Sequence, residues 1–224
     1  AIRDCGAVLV EPIQARGGTR VSPPGFLPML RQACDRQGAL LILDEIYTGF
    51  GRTGRWFACE HSATVPDLIC LGKALTGGFP LSACVGRADV MDRAWPKSNG
   101  EAIHTSTFLG HPVGCAMALA QIKEIEPLIP KVAGKGDYLL GLLKKVSFPG
   151  MTAHARGVGL MAGLEVLIDG RPATDFVVNL IKRLLRLGYL FLPEGEHGNV
   201  LGFTPPLTIS KAQLRAAIQA LEVA

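Results

Sequence analysis

The chain has 224 residues, 48% of them hydrophobic, with 23 basic and 19 acidic side chains for a net charge of +4. That is enough apolar material for one large or two small domains, and the basic residues are scattered, which argues against a nucleic-acid partner. No apolar run approaches the roughly 18 residues of a membrane helix, the N-terminal AIRDCGAVLVEP lacks the basic-then-apolar order of a signal peptide, and the six cysteines form no CxxC pair or zinc-ligand grouping.

In chain order, the run AVLVEPI (7–13) reads as a buried strand and the Gly- and Pro-rich QARGGTRVSPPG after it as loop. Phe26, Leu27, Leu30, Ala33 and Cys34 recur at helical spacing, predicting a helix over 26–37 stopped by Gly38. Residues 39–43 (ALLIL) and 67–71 (DLICL) are short continuous apolar runs, the pattern of strands buried on both faces of an α/β sheet. Between them GFGRTG (49–54) is loop, and LSACVG (81–86) reads as a further strand. An apolar helix from about 113 to 126 is broken by Pro127 and Pro130, and a domain boundary is placed near Pro127. Beyond it the pattern is α+β: a helix at 135–145, a strand at 159–168, a helix at 174–187, short strands at 189–192 and 199–203, and a last helix at 211–223.

Two of the strands end in charge. The run at 39–43 delivers Asp44 and Glu45, and the run at 67–72 delivers Lys73. Ligands of open α/β sheets sit beyond the carboxyl ends of the strands, so Asp44 and Lys73 are candidates for one pocket. A desolvated lysine loses basicity and becomes a nucleophile toward an aldehyde. Pyridoxal phosphate supplies such an aldehyde and needs an acid beside its ring nitrogen, a part Asp44 can take. On spacing alone, a lone strand-end lysine is more often a solvated loop residue.

The motifs EPIQ (11–14), LLILDEIYTGFGRTGRWFACEH (40–61), PDLICLGKALTGGFPLSA (66–83) and HTSTFLGHP (104–112) resemble those of the class III aminotransferases in order and spacing. These are pyridoxal-phosphate enzymes related to ornithine and acetylornithine aminotransferases. ARGVGLMAGLE (155–165) and TPPLTIS (204–210) resemble the family's small domain, so the likeness runs over nearly the whole chain. It implies a fold type I large domain over 1–127, an α/β/α layering of a mostly parallel sheet that is incomplete at its N-terminus, followed by a small α+β domain over 128–224. The family's main phosphate-binding loop and ring-stacking aromatic are expected upstream of Ala1, and the missing initial Met reads as processing or fragmentation.

By the same resemblance Lys73 is the Schiff-base lysine and proton shuttle, and Asp44 the partner of the ring nitrogen. Ile46 packs on the ring face, unless it is a plain core isoleucine. Thr107 binds the cofactor phosphate of a neighbouring subunit, implying a homodimer with shared sites; its plainer reading is a local turn hydroxyl. His104 and His111 are read as scaffold. The reaction implied is a ping-pong transfer of an amino group from an amine or amino acid donor to a 2-oxo acid, in the cytoplasm, with no metal, membrane or nucleic acid involved. The alternatives are another class III reaction, such as an aminomutase or racemase, and a non-catalytic remnant.

Three departures bear on the substrate. Tyr47 stands where many relatives have Gln, and its phenol would approach the cofactor's 3-hydroxyl from a longer, stiffer side chain. Arg16 and Gly202 stand where ornithine-type members carry a Glu and the Arg it pairs with, an Arg that takes the substrate α-carboxylate. Losing both is consistent, because a buried charge without its partner is strongly destabilising. Arg16 then has two readings: a cation for a differently placed carboxylate or phosphate, or a solvated loop residue beside an amine substrate that has no nearby carboxylate.

Overall fold

Four short strands make the first sheet, in the order β1 (Ala7–Val10), β2 (Leu40–Asp44), β3 (Leu68–Leu71) and β4 (Ala83–Gly86). The first three run parallel, and β4 closes the edge antiparallel to β3. This computed structural model describes residues 4–95, 97–100 and 107–224, and these fall into two units. The first unit comprises the residues up to Pro12, Pro23–Phe50 and Phe57–Glu126; the second comprises Ile13–Ser22, Gly51–Trp56 and Pro127–Ala224.

In the first unit, helix α1 (Phe26–Gln37) lays Leu27 and Cys34 against Ala39, Leu41 and Leu43 of the β2 segment, and Cys59 completes this core. The helix stops where the sequence predicts, at Gly38, whose left-handed φ of 65° turns its amide back to the carbonyls of Asp35 and Cys34. Two further helices, α2 (Ala88–Ala94) and α3 (Pro112–Ile125), follow the sheet. The short α2 was not expected from the sequence.

Asp67, buried at the entrance to β3, fastens this unit. Its carboxylate accepts the Leu41 amide at 2.7 Å, Arg31 of α1 at 2.6 Å and Arg87 at 2.8 Å. Its own amide donates to the Leu41 carbonyl at 2.8 Å, so the β2–β3 register is held from both sides of one residue. Burial works against the charge, but the Leu41 amide and the two guanidiniums outweigh it and hold the carboxyl below its ordinary value.

The second unit is an antiparallel sheet with three helices. A hairpin of β5 (Thr152–Val158) and β6 (Met161–Ile168) pairs through β6 with β7 (Val200–Phe203). Two-residue strands, Arg171–Pro172 and Pro193–Glu194, extend β6 and β7 respectively. The helices are α4 (Ile129–Leu143), α5 (Thr174–Arg186) and α6 (Lys211–Val223). Val177, Leu180 and Leu184 form the buried stripe of α5, and Met161, Ala162, Leu164 and Val166 are buried along β6. The β5–β6 turn passes so near α4 that a Cβ on Gly136 would lie 2.3 Å from the Gly159 carbonyl oxygen.

Several expectations shift. The helix expected at 135–145 begins at Ile129, because Pro130 sits in its first turn, where a missing amide costs no intrahelical bond. Residues 189–192 form no strand; the pairing is made by Pro193–Glu194. The loop after Ile13 contains a small ladder of Ile13–Gln14 with Arg20–Val21, and the strand expected at 159–168 has an unforeseen partner in β5.

A carboxylate whose folded pKa is depressed stabilises the fold above its unfolded pKa and loses that contribution as pH falls through the folded value. Asp67→Asn is therefore expected to cost about 1–3 kcal/mol at neutral pH. In urea titrations the gap between parent and variant should shrink below about pH 4, and a gap that is constant with pH would contradict the charge-based role.

Candidate active site

Asp44 is the last residue of β2, in register with Cys70 of β3, and Lys73 follows β3 after one glycine. Parallel pairing thus brings the acid and the amine to adjacent carboxyl ends of one sheet. The half-buried Asp44 carboxylate is oriented by its own chain, since Oδ1 accepts the Ile46 amide at 3.0 Å. Ile46 packs on the far side of the exit from β3, where a Cβ on Gly72 would stand 3.4 Å from its Cγ2.

Lys73 is exposed, and its ammonium lies 4.6 Å from the centre of the Tyr47 ring, a cation–π distance. Its backbone has φ 43°, in the left-handed region that a non-glycine residue adopts at a cost. The turn around it is held by the Leu75 amide on the Gly72 carbonyl at 2.9 Å and the Thr76 amide on the Lys73 carbonyl at 3.4 Å. Backbone strain of this kind concentrates where a side chain must be presented in one direction. The structure therefore gathers Asp44, Ile46, Tyr47 and Lys73 in one place.

Glu45 has a different task, which the sequence reading missed. Side chains alternate at a strand exit, and where Asp44 is half-buried Glu45 is fully enclosed. It accepts the amides of Ala58 at 2.9 Å and Cys59 at 2.8 Å and the hydroxyl of Thr48, so it anchors the loop that returns from β2. Burial and the neighbouring Glu45 push the Cys59 thiol up to about 12, which makes that cysteine inert. The adjacent carboxylates of the DE pair were the available signal.

Thr107 is exposed in the turn that precedes α3. His111 caps α3, its Nδ1 accepting the Val113 amide at 3.2 Å, as a scaffold histidine would. His104 lies outside the described residues.

Arg16 and Gly202 both belong to the second unit. Arg16 is exposed, and its carbonyl accepts the Gly195 amide at 2.9 Å. The space over Gly202 is taken by Glu194, which the sequence reading did not single out: a Cβ at 202 would lie 2.6 Å from its carboxyl carbon. Glu194 is 3% exposed and accepts the Thr19 hydroxyl at 3.1 Å. Burial raises its pKa, opposed by that hydroxyl and by the charges of Arg16 and Arg156. The charge arrangement of the ornithine-type pair is thus reversed, with an arginine at 16 and an acid occupying the volume a side chain at 202 would need.

The parts at the β2 and β3 ends suit a flat ring with an aldehyde at one end and a basic nitrogen at the other. An exposed amine and an oriented carboxylate stand at the ends of neighbouring strands, with an aliphatic side chain and an aromatic ring beside them. Among the described residues no group of His, Cys, Asp and Glu is placed to hold a metal.

The family model for class III aminotransferases matches residues 2–224. The 5-aminovalerate aminotransferase DavT of Pseudomonas aeruginosa is 36% identical over 225 residues, covering 98% of this chain and 52% of DavT. The crystal structure of an acetylornithine aminotransferase from Elizabethkingia anophelis superposes with a TM-score of 0.85 at 34% identity, covering 97% of this chain and 53% of that one. An amine transaminase from an uncultivated Pseudomonas species, solved in its PLP-bound internal aldimine form, gives a TM-score of 0.85 at 33% identity, covering 96% and 51%. The chain spans about half the length of the relatives it matches.

The Glu194–Gly202 contact is open to a double-mutant cycle. Gly202→Ala is expected to cost about 1–3 kcal/mol through overpacking, and less than about 1 kcal/mol when made in a Glu194→Ala background. Equal costs in the two backgrounds, measured by chemical denaturation, would show that Glu194 does not set the limit on residue 202.

Proposed function

This chain belongs to the class III aminotransferases, and from that premise we propose that it serves a pyridoxal-phosphate-dependent transaminase. The reaction moves an amino group from an amine or amino acid donor to a 2-oxo acid in two half-reactions. The observation that carries this reading is the convergence of Asp44, Ile46, Tyr47 and Lys73 at two adjacent strand ends. We propose a cofactor-binding large domain over 1–127 and a small domain over 128–224; the start of the second unit's long segment at Pro127 supports this division, although Ile13–Ser22 and Gly51–Trp56 group with that unit.

When bound, pyridoxal phosphate supplies an electrophilic aldehyde and a ring that withdraws electrons from the substrate. Lys73 would hold the aldehyde end, and its amine, once released, would take the proton from the donor's reacting carbon and return it. Asp44, already oriented by the Ile46 amide, would hold the ring nitrogen in its protonated state. Ile46 would cover a ring face, and Tyr47 would stand near the ring oxygen. Thr107 would reach the phosphate of a neighbouring copy, giving a homodimer with shared sites. Support comes from the apolar surface around that turn, where Phe108, Leu109 and Leu119 are exposed by 74%, 61% and 65%.

The donor is proposed to be an amine remote from any carboxylate, since DavT, a relative at 36% identity, is named for 5-aminovalerate, whose amine is remote from its carboxylate. Arg16 is the cation assigned to a distant carboxylate or phosphate of the substrate. No described helix is long and apolar enough to cross a membrane. We assign the reaction to the cytoplasm, where free thiols stay reduced.

Protein supplied with pyridoxal phosphate is expected to absorb in the visible, and Lys73→Ala to lose that band; an unchanged spectrum in the variant would refute the lysine assignment. Remote-amine donors such as 5-aminovalerate should bleach the band in a half-reaction, whereas a racemase would leave it in place.

A further inference from the structure

Cys70 on β3 and Cys84 on β4 face each other directly across the antiparallel edge of the first sheet. The Arg87 amide donates to the Asp67 carbonyl at 3.0 Å, which sets the alternation of the ladder. Leu68–Gly86 is then a non-hydrogen-bonded pair, Ile69–Val85 a hydrogen-bonded one, and Cys70–Cys84 again non-hydrogen-bonded. Residues opposite one another at such a position project to the same face with Cα atoms about 4.5 Å apart. That lies at the near end of the roughly 4.4–6.8 Å range that a disulfide spans. Bridges at the edge of the allowed geometry are the readily reduced kind.

We propose that Cys70 and Cys84 are a reversible dithiol site, oxidised to a cross-strand disulfide by low-molecular-weight disulfides. Cys84 is exposed and Cys70 half-buried, so the external reagent meets Cys84 first. Burial, then the facing Cys84 and the Asp44 charge, hold the Cys70 thiol above its ordinary value, so Cys70 is the less ready of the two to attack an external reagent. The Cys84 thiolate attacks one sulfur of the small disulfide, breaking its S–S bond and releasing one small thiolate. The Cys70 thiolate then attacks the Cys84 sulfur, breaking the mixed disulfide and releasing the second. One S–S bond forms in the protein and one is lost from the reagent; two cysteines are oxidised, one disulfide is reduced to two thiols, and the two cysteine protons pass to the released thiolates.

Of the remaining cysteines, Cys5 is half-buried and Cys115 exposed, and two contrast with this pair in being closed off. Cys34 is fully buried and donates to the Leu40 carbonyl at 3.9 Å. Cys59 is buried and held protonated, with a pKa of about 12. Cys70 is in register with Asp44, and the modification falls on the strand that leads to Lys73.

The test is incubation of the reduced chain with hydroxyethyl disulfide, removal of reagent, alkylation and peptide mass spectrometry. The expected result is loss of two of the six thiols as a single Cys70–Cys84 linkage, restored in full by dithiothreitol. Cys84→Ser should form no intramolecular linkage and keep Cys70 alkylatable. As Cys84 is exposed, this variant leaves the core intact, and circular dichroism checks that it folds. A stable mixed disulfide on Cys84, a linkage to another cysteine, or both thiols remaining alkylatable under conditions that oxidise free cysteine would each overturn the proposal.

Discussion

The first unit depends on the parallel pairing of β2 with β3 and on the residue that sets its register. Asp67 gives its amide to the Leu41 carbonyl and takes the Leu41 amide on its carboxylate, while Arg31 and Arg87 balance its buried charge. A slip of one residue would turn every side chain of β2 to the opposite face. Asp44 and Glu45 would then exchange places, losing both the carboxylate beside Lys73 and the buried carboxylate that accepts the Ala58 and Cys59 amides. The site and the fold therefore share one determinant, a buried aspartate more than twenty residues from Asp44 in sequence.

The second unit buries an acid without leaving its charge unpaired. A glycine at 202 allows the carboxyl of Glu194 to sit where a Cβ would stand, and Thr19, Arg16 and Arg156 offset the cost of burying that acid. Removing an arginine from a position like this would leave a cavity or a lone carboxylate; here both are avoided, because an acid from the neighbouring two-residue strand fills the space and a cation stands at 16. Such a rearrangement preserves packing and leaves a buried acid beside residue 202.

Much of this was legible in the sequence. The apolar runs leading to Asp44 and Lys73 are neighbouring parallel strands, though less buried than their continuous apolar pattern indicates, and the 26–37 helix ends at Gly38 as its spacing and glycine indicate. What was hidden depends on contacts remote in sequence. The ladder of Ile13–Gln14 with Arg20–Val21 is too short to show a period. The β5 segment, TAHARGV, alternates only the small Ala153 and Ala155 with polar residues, a faint pattern, and is a strand because it pairs with β6 along seven residues. Pro130 looks like a breaker until the helix is seen to start just before it. Glu194 is an ordinary loop acid in the sequence, and its burial follows from Gly202 on the adjoining strand. Glu45 was overshadowed by its neighbour because composition does not say which of two adjacent carboxylates faces inward.

The central claim is that Lys73 is the amine that meets the cofactor aldehyde while Asp44, on the neighbouring strand, meets its ring nitrogen. Borohydride reduction of the protein loaded with pyridoxal phosphate, followed by proteolysis and peptide mass mapping, tests it directly. The pyridoxyl mass is expected on the peptide containing Lys73 and on no other, with much less of it trapped in Asp44→Ala. Label distributed over surface lysines, or trapped equally well without Lys73, would contradict it.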